Sequence, residues 1–154
     1  MRVDQVAPSS SQALAALLFY EEYLNLIVIA MTLLFNVFKY YRLGYVDGRF
    51  TRVNVMILLY AVVSYVKRAS GDRANRSESI PYAVVLFLTG AFSLALNFVF
   101  MRLQTYVMVY EFGIHSIQVF FTILEMIIGL LLIFMFASIK NADRERQKEE
   151  EDRI

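Results

Sequence analysis

The chain has no cysteine, and that absence excludes several kinds of protein. Thiol catalysis, cysteine-ligated structural zinc, disulfide-linked extracellular loops and palmitoylation all need a cysteine side chain. The chain also has a single histidine, His115, so a haem held by two histidines of one chain is excluded. A net charge of only +1 argues against nucleic acid as a partner.

Motifs that carry chemistry are missing as well. The sequence contains no GxGxxG motif, no P-loop and no paired-carboxylate metal motif. Ser64, Ser93 and Ser116 lie in apolar segments, and no pattern of a base and an orienting acid accompanies them. We therefore expect that the protein is not an enzyme and that it uses no cofactor, no metal and no small-molecule substrate.

What the chain has in abundance is apolar side chains. With 58% hydrophobic residues and a mean hydropathy of +0.52, it is too apolar for a soluble domain of 154 residues. Four apolar segments predict an all-α integral membrane protein, built as a four-transmembrane-helix bundle in a lipid bilayer. The predicted units are a flexible N-terminus (1–12), four spans (about 13–38, 50–69, 80–101 and 114–139) and a charged cytosolic tail (140–154), expected to be a solvated helical extension.

The second predicted span is the weakest of the four. Its apolar centre, Val53 to Val66, has 14 residues and would rise about 21 Å, less than the roughly 30 Å of hydrocarbon. Arg52 at one end, and Lys67 with Arg68 at the other, are expected to close the gap by extending their side chains to the headgroups. A re-entrant or interfacial segment is the alternative. The third span has Pro81 in its first turn, where the missing N–H is not needed.

The distribution of basic residues predicts the orientation in the membrane. With four spans, ten of the fifteen lysines and arginines fall on the side that holds both termini, so we expect both termini in the cytosol. Lys39, Arg42, Arg49 and Arg52 lie on the opposite side and oppose this prediction. Arg2 stands where myristoylation needs a glycine, and no signal-peptide cleavage site is evident, so the first apolar segment is expected to remain as a helix.

Polar and small side chains recur at three- and four-residue spacing along three of the spans. On the fourth span they occupy an arc of about 80°, and a surface that faced lipid would not carry such a stripe. We interpret the stripes as an intramembrane helix-packing or partner face. The residues are His115, Gln118, Thr122, Glu125 and Gly129 on the fourth span, Gly90, Ser93 and Asn97 on the third, and Glu21, Asn25, Thr32 and Asn36 on the first.

Glu125 is the most costly member of these stripes. A charged, unpaired carboxylate near the bilayer centre costs on the order of 3 kcal/mol, so we expect Glu125 to be neutral or paired. Asn97, Asn25 and Asn36 are its candidate partners within the chain, and another subunit could supply a cation instead. A proton path through Glu125 would need several relays, and the same stripe offers few.

Two short segments carry a resemblance to a known family. The first is Leu103-Gln104-Thr105-Tyr106-Val107, followed by Glu111, Phe120-Phe121 and Glu125; the second contains Gly71, Asn75 and Pro81. Over roughly Leu18 to Ser138 the chain resembles the small four-span proteins of the ciliary transition zone, the group of transmembrane proteins 17, 80 and 216.

The second segment departs from the pattern of that family. The family tends to read Glu-x-x-Arg-Leu-x-x-Gly-x-x-Gly-Asn, where this chain has Ser64, Lys67 and Ala74 at the first acidic, the basic and the second glycine positions. The intrahelical acid-to-base pair that the resemblance implies cannot form here. Gly71 is still expected to stop the helix in a left-handed conformation, and Asn75 to bond the backbone of the turn.

The resemblance implies a non-enzymatic membrane scaffold of the ciliary transition zone. Such a protein would contribute to cilium assembly and to gating the passage of membrane proteins into the cilium, with meckelin, tectonic-type and other transition-zone membrane proteins as partners. Two alternatives stay open. One is an accessory subunit of a respiratory or other energy-transducing membrane complex, and the other is a small proton-coupled channel or carrier that uses Glu125.

Overall fold

The computed structural model describes residues 12–44, 48–104 and 106–151, and within these ranges the chain forms helices and no strand. In chain order the helices are α1 (Gln12–Leu43), α2 (Arg49–Ser77), α3 (Ile80–Phe98, continued by a π-helical turn at Val99–Leu103) and α4 (Val109–Glu151). All four are long and apolar enough to cross a membrane. The predicted all-α, four-span fold class is confirmed.

The four helices form a ring in which neighbours run in opposite directions. Connections of two to five residues join consecutive helices, so each one returns beside the one before it. α1 packs against α2 and α4, and α3 packs against the same two helices. All four therefore contribute side chains to one shared interior.

The helices extend beyond the predicted spans. α1 continues from 38 to Leu43, α2 from 69 to Ser77, and α4 begins before 114, at Val109, and runs to Glu151 through most of the charged tail. The tail is thus a helical extension as far as it is described. The predicted flexible N-terminus lies outside the described residues except for Gln12, which begins α1.

The prediction that Gly71 stops the second helix is wrong. α2 passes through Gly71 and ends at Ser77, and the residue in the left-handed region is Glu78, with φ of 48°. Asn75 is buried inside the helix and is not the turn residue. Gly71 serves close packing instead, since a Cβ there would lie 2.8 Å from Leu18 Cδ2 of α1. Packing between helices has overridden the local tendency of glycine to end one.

Apolar side chains pack in two clusters with polar residues between them. One cluster lies near the tail end of the bundle and the other toward the opposite end. On α1, for example, buried Glu21 and Asn25 separate Leu18 of the first cluster from Val28 of the second. The members are Leu14, Leu18, Leu86, Leu132 and Phe136 in the first, and Val28, Val53, Ile57, Tyr60, Val63, Leu96 and Phe100 in the second.

The close contact between α3 and α4 depends on Gly90. A Cβ at Gly90 of α3 would lie 2.8 Å from Cγ of Met126 in α4. A Cβ at Gly113 of α4 would meet nothing within 4 Å. We expect Gly90→Ala to lower the free energy of unfolding by about 1–3 kcal/mol through overpacking. Gly113→Ala is the matched control and should leave the stability unchanged or raise it slightly. Denaturation by sodium dodecyl sulfate in bicelles measures both, and equal effects would contradict the packing role of Gly90.

Candidate functional site

The centre of the interior is a cluster of three charged side chains, Glu21 of α1, Lys67 of α2 and Glu125 of α4. Lys67 Nζ contacts Glu21 Oε1 and lies 3.0 Å from Glu125 Oε2. All three residues are 1% exposed or less. Lys67 thus faces two carboxyl groups, and the three ionisable side chains join three helices.

The prediction that Lys67 reaches the headgroups is wrong. α2 continues for ten residues beyond Lys67, a rise of about 15 Å, and the Lys67 side chain is completely buried inside the bundle. The partner of Glu125 is therefore a cation of the same chain, and not Asn97, Asn25 or Asn36.

Neutral donors also contact the carboxylate of Glu21. Gln118 Nε2 donates to Glu21 Oε1 at 2.9 Å and to Asn25 Oδ1 at 3.0 Å. Thr122 Oγ1 donates to the Gln118 carbonyl at 3.0 Å and lies 3.4 Å from Glu21 Oε1. A hydrogen bond to a charged group contributes more than one between neutral groups, so these contacts help to fix α4 against α1.

Asn25 extends the network to a part of α2 that sequence reasoning missed. Its Oδ1 accepts hydrogen bonds from Tyr60 Oη at 2.8 Å and from Ser64 Oγ at 3.3 Å. Tyr60, Ser64 and Lys67 follow one another at four- and three-residue spacing, which places them on one face of α2. That spacing was a usable signal for a polar stripe on the second span.

His115 of α4 anchors a second group of buried polar side chains. Asn97 Nδ2 donates to the Ser93 carbonyl at 2.9 Å, an orientation that leaves its Oδ1 2.7 Å from His115 Nδ1. Nδ1 is therefore the donor to Asn97, and Nε2 lies 3.2 Å from Thr32 Oγ1 of α1. The imidazole ring stacks on Phe100 with centroids 5.0 Å apart. α1, α3 and α4 meet at this residue.

A third polar group closes the opposite end of the bundle. Lys39 Nζ contacts Glu111 Oε2 and donates to Gln104 Oε1 at 2.9 Å, and both charged residues are almost completely buried. Glu111 Oε2 also accepts a hydrogen bond from the Met108 N–H at 3.2 Å. This is the bond that the glutamate of a capping box makes to the first residue of the box, here at the start of α4. Lys39 looked like a membrane-flanking residue, yet it is an interior one. Nearby, Asn36 Nδ2 donates to Asn54 Oδ1 at 2.8 Å.

The structure places all twelve stripe residues in the interior, where they contact this chain's own helices. A Cβ at Gly129 would lie 3.3 Å from Leu86 Cδ2, so this glycine, like Gly90, allows a close approach of α3 and α4. The family-motif positions are less uniform: Glu111, Gly71 and Asn75 are buried, Gln104 is half-buried, Leu103, Tyr106, Val107 and Pro81 are exposed, and Thr105 lies outside the described residues.

The same fold elements match a known family. The family model Transmemb_17, described as a predicted membrane protein, matches residues 16–122. This chain belongs to the Transmemb_17 family. The resemblance to the group of transmembrane proteins 17, 80 and 216 is confirmed at the level of this family. No curated protein and no solved structure matches the chain. The Transmemb_17 match includes every stripe residue except Glu125 and Gly129.

The polar interior of this Transmemb_17 member is arranged for holding helices together. The Ser64 hydroxyl donates to Asn25, and the Ser116 hydroxyl donates to the Phe112 carbonyl at 2.7 Å, so neither is oriented toward a base. In the part of the chain that the structure describes, no group of three or more His, Cys, Asp or Glu could hold a metal ion. The buried polar side chains form ion pairs and amide hydrogen bonds between helices.

Proposed function

We propose that this chain is a non-enzymatic membrane scaffold of the ciliary transition zone, which helps to assemble the cilium and to gate the passage of membrane proteins into it. The observation that carries the proposal is that the charged side chains of the apolar helices pair with one another inside the bundle. Lys67 contacts both Glu21 and Glu125, and Lys39 contacts Glu111. Ion pairs between helices suit a bundle that must keep one shape while it is part of a larger assembly.

The small size of the parts outside the membrane indicates where partners bind such a scaffold. The connections between helices are two to five residues long, so the described chain has little bulk outside the membrane apart from the end of α4. The outward faces of the helices are rich in exposed apolar side chains. Partners therefore contact the scaffold mainly from the side, within the bilayer, as transition-zone membrane proteins such as meckelin and tectonic-type proteins could. Both termini lie in the cytosol in this proposal.

Localisation of a tagged copy in ciliated cells tests the proposal. We expect the protein to accumulate at the ciliary base and to co-purify with transition-zone membrane proteins. A folded control with Arg144→Glu, on the exposed part of α4 beyond the apolar segment, should localise in the same way. Residence in mitochondria with subunits of an energy-transducing complex would instead select the accessory-subunit alternative and overturn the proposal.

A further inference from the structure

One group of three charged side chains lies on the outside of the bundle, between α1 and α2. The Arg68 guanidinium of α2 contacts Glu22 Oε1 of α1, and Arg68 Nε lies 3.9 Å from Asp72 Oδ2 one turn along α2. Their side chains are 36–44% exposed. We call Glu22, Arg68 and Asp72 the outer ion cluster.

Toward the middle of the bundle, the outer ion cluster is flanked by side chains that suit lipid. On α1, Phe19, Tyr23 and Leu26 flank Glu22 and are more than half exposed, and Tyr65 on α2 is 74% exposed. Charged groups on a helix face of this kind are uncommon, because lipid tails cannot solvate them.

The depth of the cluster follows from the length of α2. Arg68 lies nine residues before the end of α2 at Ser77, a rise of about 14 Å. The neighbouring apolar helix, Ile80–Leu103, has 24 residues and is about 36 Å long, which exceeds the roughly 30 Å of hydrocarbon by about 3 Å at each end. With α3 centred in the hydrocarbon, Arg68 lies roughly 10 Å inside it, and the exposed third of its side chain needs cover from protein.

We propose that a second copy of this chain covers the outer ion cluster, so that the protein is a two-fold symmetric dimer through α1 and α2. The cluster contains both signs of charge, so Arg68 of each copy can face Glu22 of the other. All copies insert in the same direction, which puts the two-fold axis along the membrane normal and brings identical depths together. A patch of mixed sign at one depth is then complementary to itself.

The shape of the surface supports the same partner. A groove of about 260 Å³ lies between α1 and α2 beside the cluster, with Leu26, Ile29 and Ala61 among its lining residues. Tyr65 stands at the rim of this groove and projects outward. Tyr65 and the groove lie on the same surface of the protein. A two-fold axis can therefore present each Tyr65 to the groove of the other copy.

Charge reversal in two complementary variants tests the dimer. Arg68→Glu makes the cluster wholly acidic, and Glu22→Lys with Asp72→Lys makes it wholly basic. Because the chain has no cysteine, a single Ala142→Cys on the exposed end of α4 can carry a donor or an acceptor dye. Energy transfer between labelled copies in phosphatidylcholine liposomes, at several protein-to-lipid ratios, then reports self-association of this chain alone.

The protein with an unaltered cluster should give energy transfer between labelled copies that persists when the protein is diluted with lipid. We expect each reversed variant alone to associate at least tenfold more weakly, and a mixture of the two to recover to within about threefold of the unaltered protein. Recovery would also show that both variants are folded. Tyr65→Ala should weaken association about tenfold without altering a buried contact, and Arg144→Glu should have no effect.

Two results would overturn the dimer. One is an unaltered protein that is monomeric in these liposomes, and the other is a mixture of reversed variants that does not recover. Either result would show that a second copy of this chain does not cover the cluster. Because the liposomes hold this chain alone, neither result bears on localisation at the cilium.

Discussion

Lys67→Met is expected to lower the free energy of unfolding by about 3–5 kcal/mol, the range for breaking a buried ion pair by removing one partner. Methionine has a similar length and fills the space between α1 and α4. The loss arises because Glu21 and Glu125 would keep their buried positions without the ammonium group that now contacts both. Titration with sodium dodecyl sulfate in bicelles, followed by far-ultraviolet circular dichroism, measures the change.

The partners of Lys67 provide the control for that experiment. In a triple variant that adds Glu21→Gln and Glu125→Gln, no unpaired charge is left, and most of the lost stability should return. Lys140→Met, on the exposed part of α4, removes one positive charge without removing a buried contact and should have no measurable effect. Similar losses for Lys67→Met and Lys140→Met would show that the central cluster does not hold the bundle.

Glu111→Leu should produce a loss of similar size, about 3–5 kcal/mol, at the opposite end of the bundle. The substitution leaves the Lys39 ammonium group buried beside Gln104 without its carboxylate. It also removes the acceptor for the Met108 N–H at the start of α4. The same denaturation measures the free energy, and amide hydrogen exchange at Met108 reports the capping bond.

Two further variants separate the charge from the cap. Glu111→Gln keeps an acceptor for Met108 and should retain about 1 kcal/mol more stability than Glu111→Leu, the usual contribution of a cap. Lys39→Met combined with Glu111→Leu replaces both charges with apolar groups and should be less damaging than Glu111→Leu alone. A double variant that is as unstable as the sum of its single changes would rule out coupling between Lys39 and Glu111.

The sequence was informative wherever polar residues interrupted a long apolar run at helical spacing. Glu21, Asn97 and Gln118 stand in runs whose other residues suit lipid, so their periodicity alone indicated one special face. The four helices were predictable from the length and hydropathy of the apolar runs themselves. The geometry that joins the stripes needs the relative rotation and depth of the helices, which periodicity within one segment cannot supply.

Lys67 and Lys39 show what the sequence could not decide. A lysine at the end of an apolar run is compatible with a headgroup contact and equally with a buried pair, because both uses have the same local sequence. The choice depends on Glu21, 46 residues from Lys67, and on Glu111, 72 residues from Lys39. Gly71 was ambiguous in the same way, since a helix stop and a close contact both favour glycine.

The low hydropathy of α2 has a consequence for how the nascent chain is made. It is the least apolar of the described spanning helices, and its buried lysine opposes transfer from the translocon into lipid. α1 is synthesised first and presents Glu21 and Asn25 to the arriving Lys67 and Ser64. The first two helices are therefore best released into the bilayer together, as a hairpin whose charges already neutralise one another.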